Sequence, residues 1–491
     1  MYSKFLFSDL NQQPIEQSTW RIKSLHDLGS LEPFIKEKVT SSEVSRTSRI
    51  QDKHKTTFHL PPHHILIPTA RSTSKSGFCS QNYVVDSIMS ASEKSELLGS
   101  QLRHFSTSLI GTQPMTDQTS SSFSNNAPPS KSNPLPSLLL PNLPDDIALQ
   151  CIARVPKSYH PTLSLVSKSW LSVIRTPLLF TTRSLLHCTQ HFLYLNIRIF
   201  NTFNWYLLDC SPSNPKNHKR TLYPLPPIPL HLTGPAFAVL GPKIFVIGGS
   251  IHDIPSNNVW IFDCRFNKWE IGPKMRVGRE FAAAGVVNGK IYVMGGCVVD
   301  NWARSMNWAE IFDPKMGSWT SLPSPIEIRD KWMHASAVVN DKVYAMADRG
   351  GVVYDAYAKE WGGVPKRLDL EWRGRAAVVD GVLYCYDYLG KIRGYDMGED
   401  VWKELKGVDK GLPKFLCGAT MVNFNGRLCV VWEGKGKGKG KGSGKEVEIM
   451  CAEIEVHKDG GGGLSGSIVW SNVILVIPSH ASIVHCLAVA L

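Results

Sequence analysis

The residue types that most often do chemistry are all present, but their spacing does not assemble them into a reactive group. Sixteen histidines occur without an H-E-x-x-H or comparable pair, so no metal-hydrolase pattern is laid out. Eleven cysteines include no C-x-x-C pair, which supports neither a zinc site nor a disulfide framework and fits a reduced, intracellular setting. There is no G-x-S-x-G elbow for a serine nucleophile, and the glycine-rich stretches lie outside the strand-to-helix context that a phosphate loop needs. No catalytic residue, metal or cofactor is therefore expected. What the chain concentrates instead is arginine and tryptophan: Arg276, Arg279, Arg329, Trp332, Trp372, Arg373 and Arg375 fall in the short links between strand patterns. These residue types dominate interface hot spots, and exposed together they would suit an acidic segment of a partner protein. Stacked structural pairs inside the fold are an equally good use for them.

The elements that position those links are repeats. Phe281 to Leu322 reads as a complete four-stranded unit: two β-branched runs joined by Asn288-Gly289, a break at Gly295-Gly296, a third run, a polar turn from Asp313 to Gly317, and a last strand carrying Trp319. The hairpin turns recur as Gly241-Pro242, Asn288-Gly289, Asn340-Asp341, Asp380-Gly381 and Asn425-Gly426, at steps of 47, 52, 40 and 45 residues. Trp269, Trp319, Trp361 and Trp402 keep the same beat, at steps of 50, 42 and 41. Two markers in phase at such a period define a repeat array.

On the double glycines (Gly248-Gly249, Gly295-Gly296) and the late tryptophan, the array resembles the kelch family. That resemblance implies an all-β propeller. Ala347-Asp348 and Asp387-Tyr388 replace the glycines in later repeats, which puts the backbone geometry at those turns in question. Asn204 to Asp209 and Arg220 to Leu225 read as third and fourth strands with no first and second before them, while His480 to Leu491 looks like the start of a blade that then stops. Five complete repeats and these halves give six blades, closed by strands from both ends of the chain, with no free edges. Kelch propellers that oxidise alcohols hold copper with tyrosine, histidine and cysteine. Tyr384 and Cys385 are of the right types, but a place in the core is the plainer expectation. The Asp313 to Trp319 string has the wrong spacing for an aspartate box.

Ahead of the array, composition changes twice. Residues 1–134 hold 25 serines in the first 130 positions, too little apolar content to offset chain entropy, so a disordered region is expected. From Leu138 two helical patterns follow. Pro144 and Asp145-Asp146 suit a first helical turn, Ile147, Cys151 and Val155 are spaced i, i+4, i+8, and Leu163, Val166, Trp170 and Val173 form a second apolar stripe. So small a helical pair needs a partner for its apolar surface.

This segment resembles an F-box, of the plant F-box/kelch type, through Leu143-Pro144, Ile152, Arg154, Val155-Pro156 and the Val166 to Trp170 string, with Cys151 and Ser169 as mild departures. The resemblance implies docking to a Skp adaptor, and through it to cullin and RING subunits of a ubiquitin ligase. Leu143, Pro144, Ile147, Ile152, Val155, Val166 and Trp170 are the adaptor-facing residues it implies, with the target held by the propeller. The expected division is thus residues 1–134 disordered, 135–185 F-box, 186–203 linker and 204–491 propeller. A kelch scaffold acting outside any ligase and a propeller enzyme are the alternatives.

Charge and hydropathy bound the partners. Of a formal net charge of +12, five charges come from the tract of Lys435, Lys437, Lys439, Lys441 and Lys445; the remaining basic residues are dispersed, with no aromatic-basic motif for nucleic acid. No apolar run approaches the length of a membrane span, and the N-terminal residues lack the apolar core of a secretory signal. Neither nucleic acid nor membrane is an expected partner, and the cytoplasm or nucleus is the expected location.

Overall fold

The computed structural model describes residues 139–140, 142–200, 202–210, 220–297, 305–348, 350–372, 374–387, 389–416, 418–435, 446–478 and 481–491. The segment expected to be disordered, most of the lysine tract and Arg373 lie outside these residues.

The strands build four four-stranded antiparallel sheets, a two-stranded hairpin and one eight-stranded sheet, which is two four-stranded antiparallel halves joined by a short parallel contact at Leu405–Lys406 and Leu464–Ser465, so the blades number six. The first in sequence contains β1 (His191–Ile199), β2 (Thr202–Asp209) and β3 (Thr221–Pro224). Next come β4 (Ala236–Leu240), β5 (Lys243–Ile247), the small hairpin β6 (Ser250–Ile251) and β7 (Ile254–Pro255), then β8 (Val259–Asp263) and β9 (Lys268–Ile271). The following blades are β10 (Ala283–Val287) to β13 (Ser318–Leu322), with β11 (Lys290–Met294) and β12 (Ala309–Asp313), and β14 (Met333–Val339) to β17 (Glu360–Gly363), with β15 (Lys342–Ala347) and β16 (Val352–Asp355). Then β18 (Ala377–Val379), β19 (Val382–Tyr386), β20 (Ile392–Asp396) and β21 (Val401–Lys406) precede β22 (Thr420–Phe424), β23 (Arg427–Lys435), β24 (Glu446–Lys458) and β25 (Leu464–Pro478). Finally β26 (Ala481–Ala490) returns to pair with β1, from Ala490 opposite His191 to Ala481 opposite Ile199. The innermost strands touch in the cyclic order β26, β4, β10, β14, β18, β22 and back to β26. The ring is closed.

Closure differs in one respect from expectation. The closing blade lacks a single strand, not two: β1 lies inside the stretch 186–203 read as linker, because a largely buried run, HFLYLNIRI, pairs with both β2 and β26. The propeller therefore starts at His191. Its long apolar run, buried from Phe192 to Ile197, is the signature of a strand covered on both faces.

Local chemistry sets the turns. Asn288 and Gly289 both take positive φ, 49° and 69°, and the pairs at Asn340, Asp380 and Asn425 repeat this, as a two-residue hairpin of type I′ requires. Within each regular blade a third-strand aromatic lies against the fourth-strand tryptophan: Phe262 with Trp269, Phe312 with Trp319, Tyr354 with Trp361 and Tyr395 with Trp402, ring centres 4.8–5.3 Å apart. Each indole N–H then donates to a carbonyl of the preceding blade's exit: Pro226, Pro273, Pro323 and Arg367, at 2.7–2.9 Å. The periodic tryptophans are thus the joints between blades.

The helical segment holds α1 (Asp145–Ala153), α2 (His160–Leu163), α3 (Lys168–Ile174) and α4 (Pro177–Leu185). The second apolar stripe is split between elements, because the Ser167 hydroxyl accepts from Trp170 N–H (3.2 Å) and starts a new helix there. The head is not a separate body. Leu149, Ile152, Val173, Leu179 and Phe180 share one apolar cluster with Tyr194, Trp205, Phe262, Leu487 and Leu491 of the propeller. No helix among the described residues is long and apolar enough to cross a membrane.

Candidate functional site

In a four-stranded antiparallel blade the links from strand 1 to 2 and from 3 to 4 share one end, while the 2-to-3 links and the links between blades share the other. The head enters through β1, at the first end, and is bound there. Lys157 Nζ donates to the carbonyl of Cys264, just past β8, at 2.6 Å. Arg183, only 1% exposed, donates to the carbonyls of Ala153 and Val155 at 2.7 Å each, to that of Leu491 at 3.3 Å, and to Gln190 Oε1 at 3.1 Å. One guanidinium thereby ties the end of α1, α4 and the innermost closing strand. Burial lowers the Lys157 ammonium to about 8; burial and the charge of Arg183 hold His160 near 4, so its imidazole is neutral.

The residues for which an adaptor role is expected divide here. Pro144 is exposed, Leu143 half-buried, and Ile147 and Val166 are 40% and 60% exposed, joined by Leu165 at 84%. Val155 is half-buried, and its carbonyl is taken by Arg183. Ile152 is 2% exposed and belongs to the cluster shared with the propeller. Trp170 packs against the same cluster and donates its indole N–H to the Leu139 carbonyl at 2.6 Å. Of these residues Ile152 and Trp170 are thus drawn into the cluster that the head shares with the propeller, while the others are exposed or half-buried. The outward apolar set is Ile147, Leu165 and Val166, flanked by Leu143 and Pro144.

At the opposite end lie the arginine and tryptophan links, and they too divide. Arg279 is fully buried: it pairs with the equally buried Glu310 at 2.6 Å and donates to the carbonyls of Gly295, Asn307 and Trp308. It holds a double-glycine turn, whose Gly296 Cα leaves no room for a Cβ against the Glu280 carbonyl. Trp372 is also fully buried, with its indole bonded to the Gly374 carbonyl at 3.1 Å. Arg329 folds back on the carbonyl of Ser324. Lys331, reaching the Gly350 carbonyl at 2.9 Å, makes in the third blade the kind of contact Arg279 makes in the second, where Ala347-Asp348 replaced the glycines. Arg276 and Trp332 are exposed, the latter at 51%. Arg375 is partly exposed, its Nε has no hydrogen-bond partner among the described residues, and burial pulls its guanidinium down to about 10. Arg279 and Trp372 are thus structural, as the alternative reading of these residues allowed; Arg276, Trp332 and Arg375 remain available to a partner.

The two residues of copper-ligand type do not converge. Tyr384 and Cys385 are neighbours on β19 and are buried on opposite faces, in different apolar clusters. Among the described residues no three histidine, cysteine or carboxylate side chains are grouped as a metal site would need.

The geometry defines a class: a closed kelch-type propeller with an F-box-like helical head fixed to one end. Comparison with known proteins agrees. A family model of the FKB95 kelch-repeats domain matches residues 205–475, and the F-box domain matches residues 140–182. Three F-box/kelch-repeat proteins of Arabidopsis thaliana are 35%, 34% and 33% identical, over 73%, 71% and 70% of this chain and 96%, 90% and 92% of their own length. The chain belongs to the F-box/kelch-repeat family.

Proposed function

We propose that the protein is the target-recognition subunit of an SCF-type ubiquitin ligase, acting in the cytoplasm or nucleus, with the F-box on a Skp adaptor and the ring holding the target. The observation that carries this reading is the polarity of the molecule. The head, with its outward Leu143, Pro144, Ile147 and Val166, is clamped to one end of the ring; the free Arg276, Trp332 and Arg375 stand at the other. A receptor needs two such separate faces joined rigidly, so that the held target keeps one orientation toward the catalytic subunits. Catalysis belongs to those subunits in this scheme, and cullin and RING proteins join through the adaptor.

Co-purification tests it. The full chain should bring down a Skp adaptor, and Leu143→Ala with Pro144→Ala should lose most of that capture while the melting temperature changes little, since neither side chain is fully buried. Proximity labelling with residues 139–185 disabled by this pair should enrich targets that are no longer degraded. Adaptor capture unaffected by the pair would rule out this face.

A further inference from the structure

The mouth is not uniform, and one sector of it is built in a way the fold does not require. Arg375 precedes β18 and has no ion pair, hydrogen bond or stacked ring among the described residues. Its Nε is buried without a partner, whereas the buried Arg279 has a counter-charge in Glu310. Thr420 stands five residues ahead of the Asn425-Gly426 turn, as Arg375 stands five ahead of Asp380-Gly381, and its fully buried hydroxyl is likewise unpartnered. These are corresponding places on adjacent blades.

Beside them the link between β19 and β20 joins a charged floor to an apolar rim. At its start, Tyr386 lies so close to Gly374 that a Cβ there would sit 2.5 Å from the phenol oxygen, and Tyr386 is the ionisable group that acts on Arg375. At its end, the Gly390 carbonyl accepts from Leu416 N–H at 2.9 Å, and a Cβ on Gly390 would meet Phe415 Cα at 2.7 Å. The link thus spans from Arg375 to Phe415. On its crest Leu389 is 63% exposed, and Phe415 is 67% exposed, with exposed Lys414 next to it. Two large apolar side chains exposed on adjoining links, in the same sector as a guanidinium whose Nε has no partner among the described residues, are costly features for a surface that meets only water.

We propose that this sector, between the fourth and fifth complete blades, receives a partner-protein segment in which a carboxylate stands next to a large apolar side chain. The carboxylate enters to Arg375, where the guanidinium offers a planar pair of donors, and the apolar side chain covers Leu389 and Phe415. Lys414 adds the same sign of charge at the rim. This deepens the reading that the mouth holds the target, and rests on it.

The test uses the full chain and a displayed library of random 12-residue peptides, with recovered peptides resynthesised and measured by fluorescence anisotropy. Recovered sequences should carry Asp or Glu beside Leu, Ile or Phe. Arg375→Gln should weaken them at least tenfold and Phe415→Ala at least fivefold, while Lys315→Gln, on the exposed turn between β12 and β13 at the other end of the ring, changes them less than twofold. Phe415→Ala removes an exposed side chain and leaves folding untouched, so it keeps the test decisive should Arg375→Gln misfold. Peptides without acids, no recovered peptide, equal binding by Phe415→Ala, or equally tight binding of a single-stranded 12-nucleotide DNA would each overturn the proposal. Adaptor capture is measured on the same preparations: its loss with peptide binding intact sinks the ligase reading alone, and the reverse sinks this proposal alone.

Discussion

Arg183, buried at one end of the ring, and Arg375, half-buried at the other, are treated in opposite ways. Arg183 donates to three carbonyls and an amide oxygen, so its burial cost is offset within the chain. Arg375 donates to no described residue, and its buried Nε is left without a partner. The difference teaches where this molecule has finished its contacts and where it has left them open. The F-box end is consolidated; the mouth is not.

The comparison is broken most thoroughly by removing 482–491. This deletes the innermost strand of the closing blade, with Ile483, Leu487, Val489 and Leu491 all buried to within 7% of complete, and it takes the Leu491 carbonyl from Arg183. At roughly 1.5–3 kcal/mol for each such side chain, the loss matches the whole stability of a typical domain of about 5–15 kcal/mol. Insoluble or molten protein is expected, read by circular dichroism and dye binding; a wild-type melt would mean that the ring closes without β26.

Arg183→Met should cost about 3–5 kcal/mol, because three buried carbonyls lose their donor at once. Hydrogen exchange should then rise in α1 and α4 before it rises in β10 to β13. Uniform exchange across both would show that the head is not held through this residue.

His160 gives the F-box end a pH dependence. Its pKa in the fold, near 4, lies below the ordinary 6.5, so between these values the unfolded chain binds more protons. Stability from this group is complete above pH 6.5 and falls away as pH drops toward 4, by up to about 3 kcal/mol. Denaturant titrations at pH 7 and 4.5 should show the slope, and His160→Asn should flatten it.

The smallest effect sharpens the comparison most. Arg375→Met should leave the melting temperature unchanged or slightly raised, since it removes a charge that pairs with no described residue and keeps most of the aliphatic stem. A loss of several degrees would show that Arg375 is structural after all.

The repeat, its period and the closing of the ring could be read from the sequence because they rest on turn chemistry and strand alternation, which are local. Asn288-Gly289 and its counterparts announce type I′ hairpins wherever they stand, and Trp269, Trp319, Trp361 and Trp402 keep time because each serves the same joint. The strand at His191–Ile199 escaped notice because a fully buried strand shows no alternation. The site was less legible for a different reason. Whether an arginine is spent on a neighbour or left free depends on what stands across the blade, and nothing near Arg279 in sequence points to Glu310, 31 residues away. Likewise Trp170 matches an adaptor-facing pattern, and only the packed head shows that its ring is partly occupied by this chain's own core.

The tryptophan joints all point the same way round. Trp269 reaches back to Pro226, Trp319 to Pro273, Trp361 to Pro323 and Trp402 to Arg367, so each donor is translated after its acceptor. As the chain leaves the ribosome, each of these four blades finds its docking carbonyl already made, and they can add in the order of synthesis. Only the blade of β1 to β3 must wait, missing its innermost strand until the last residues appear, so the first sheet to be made is the last to be finished.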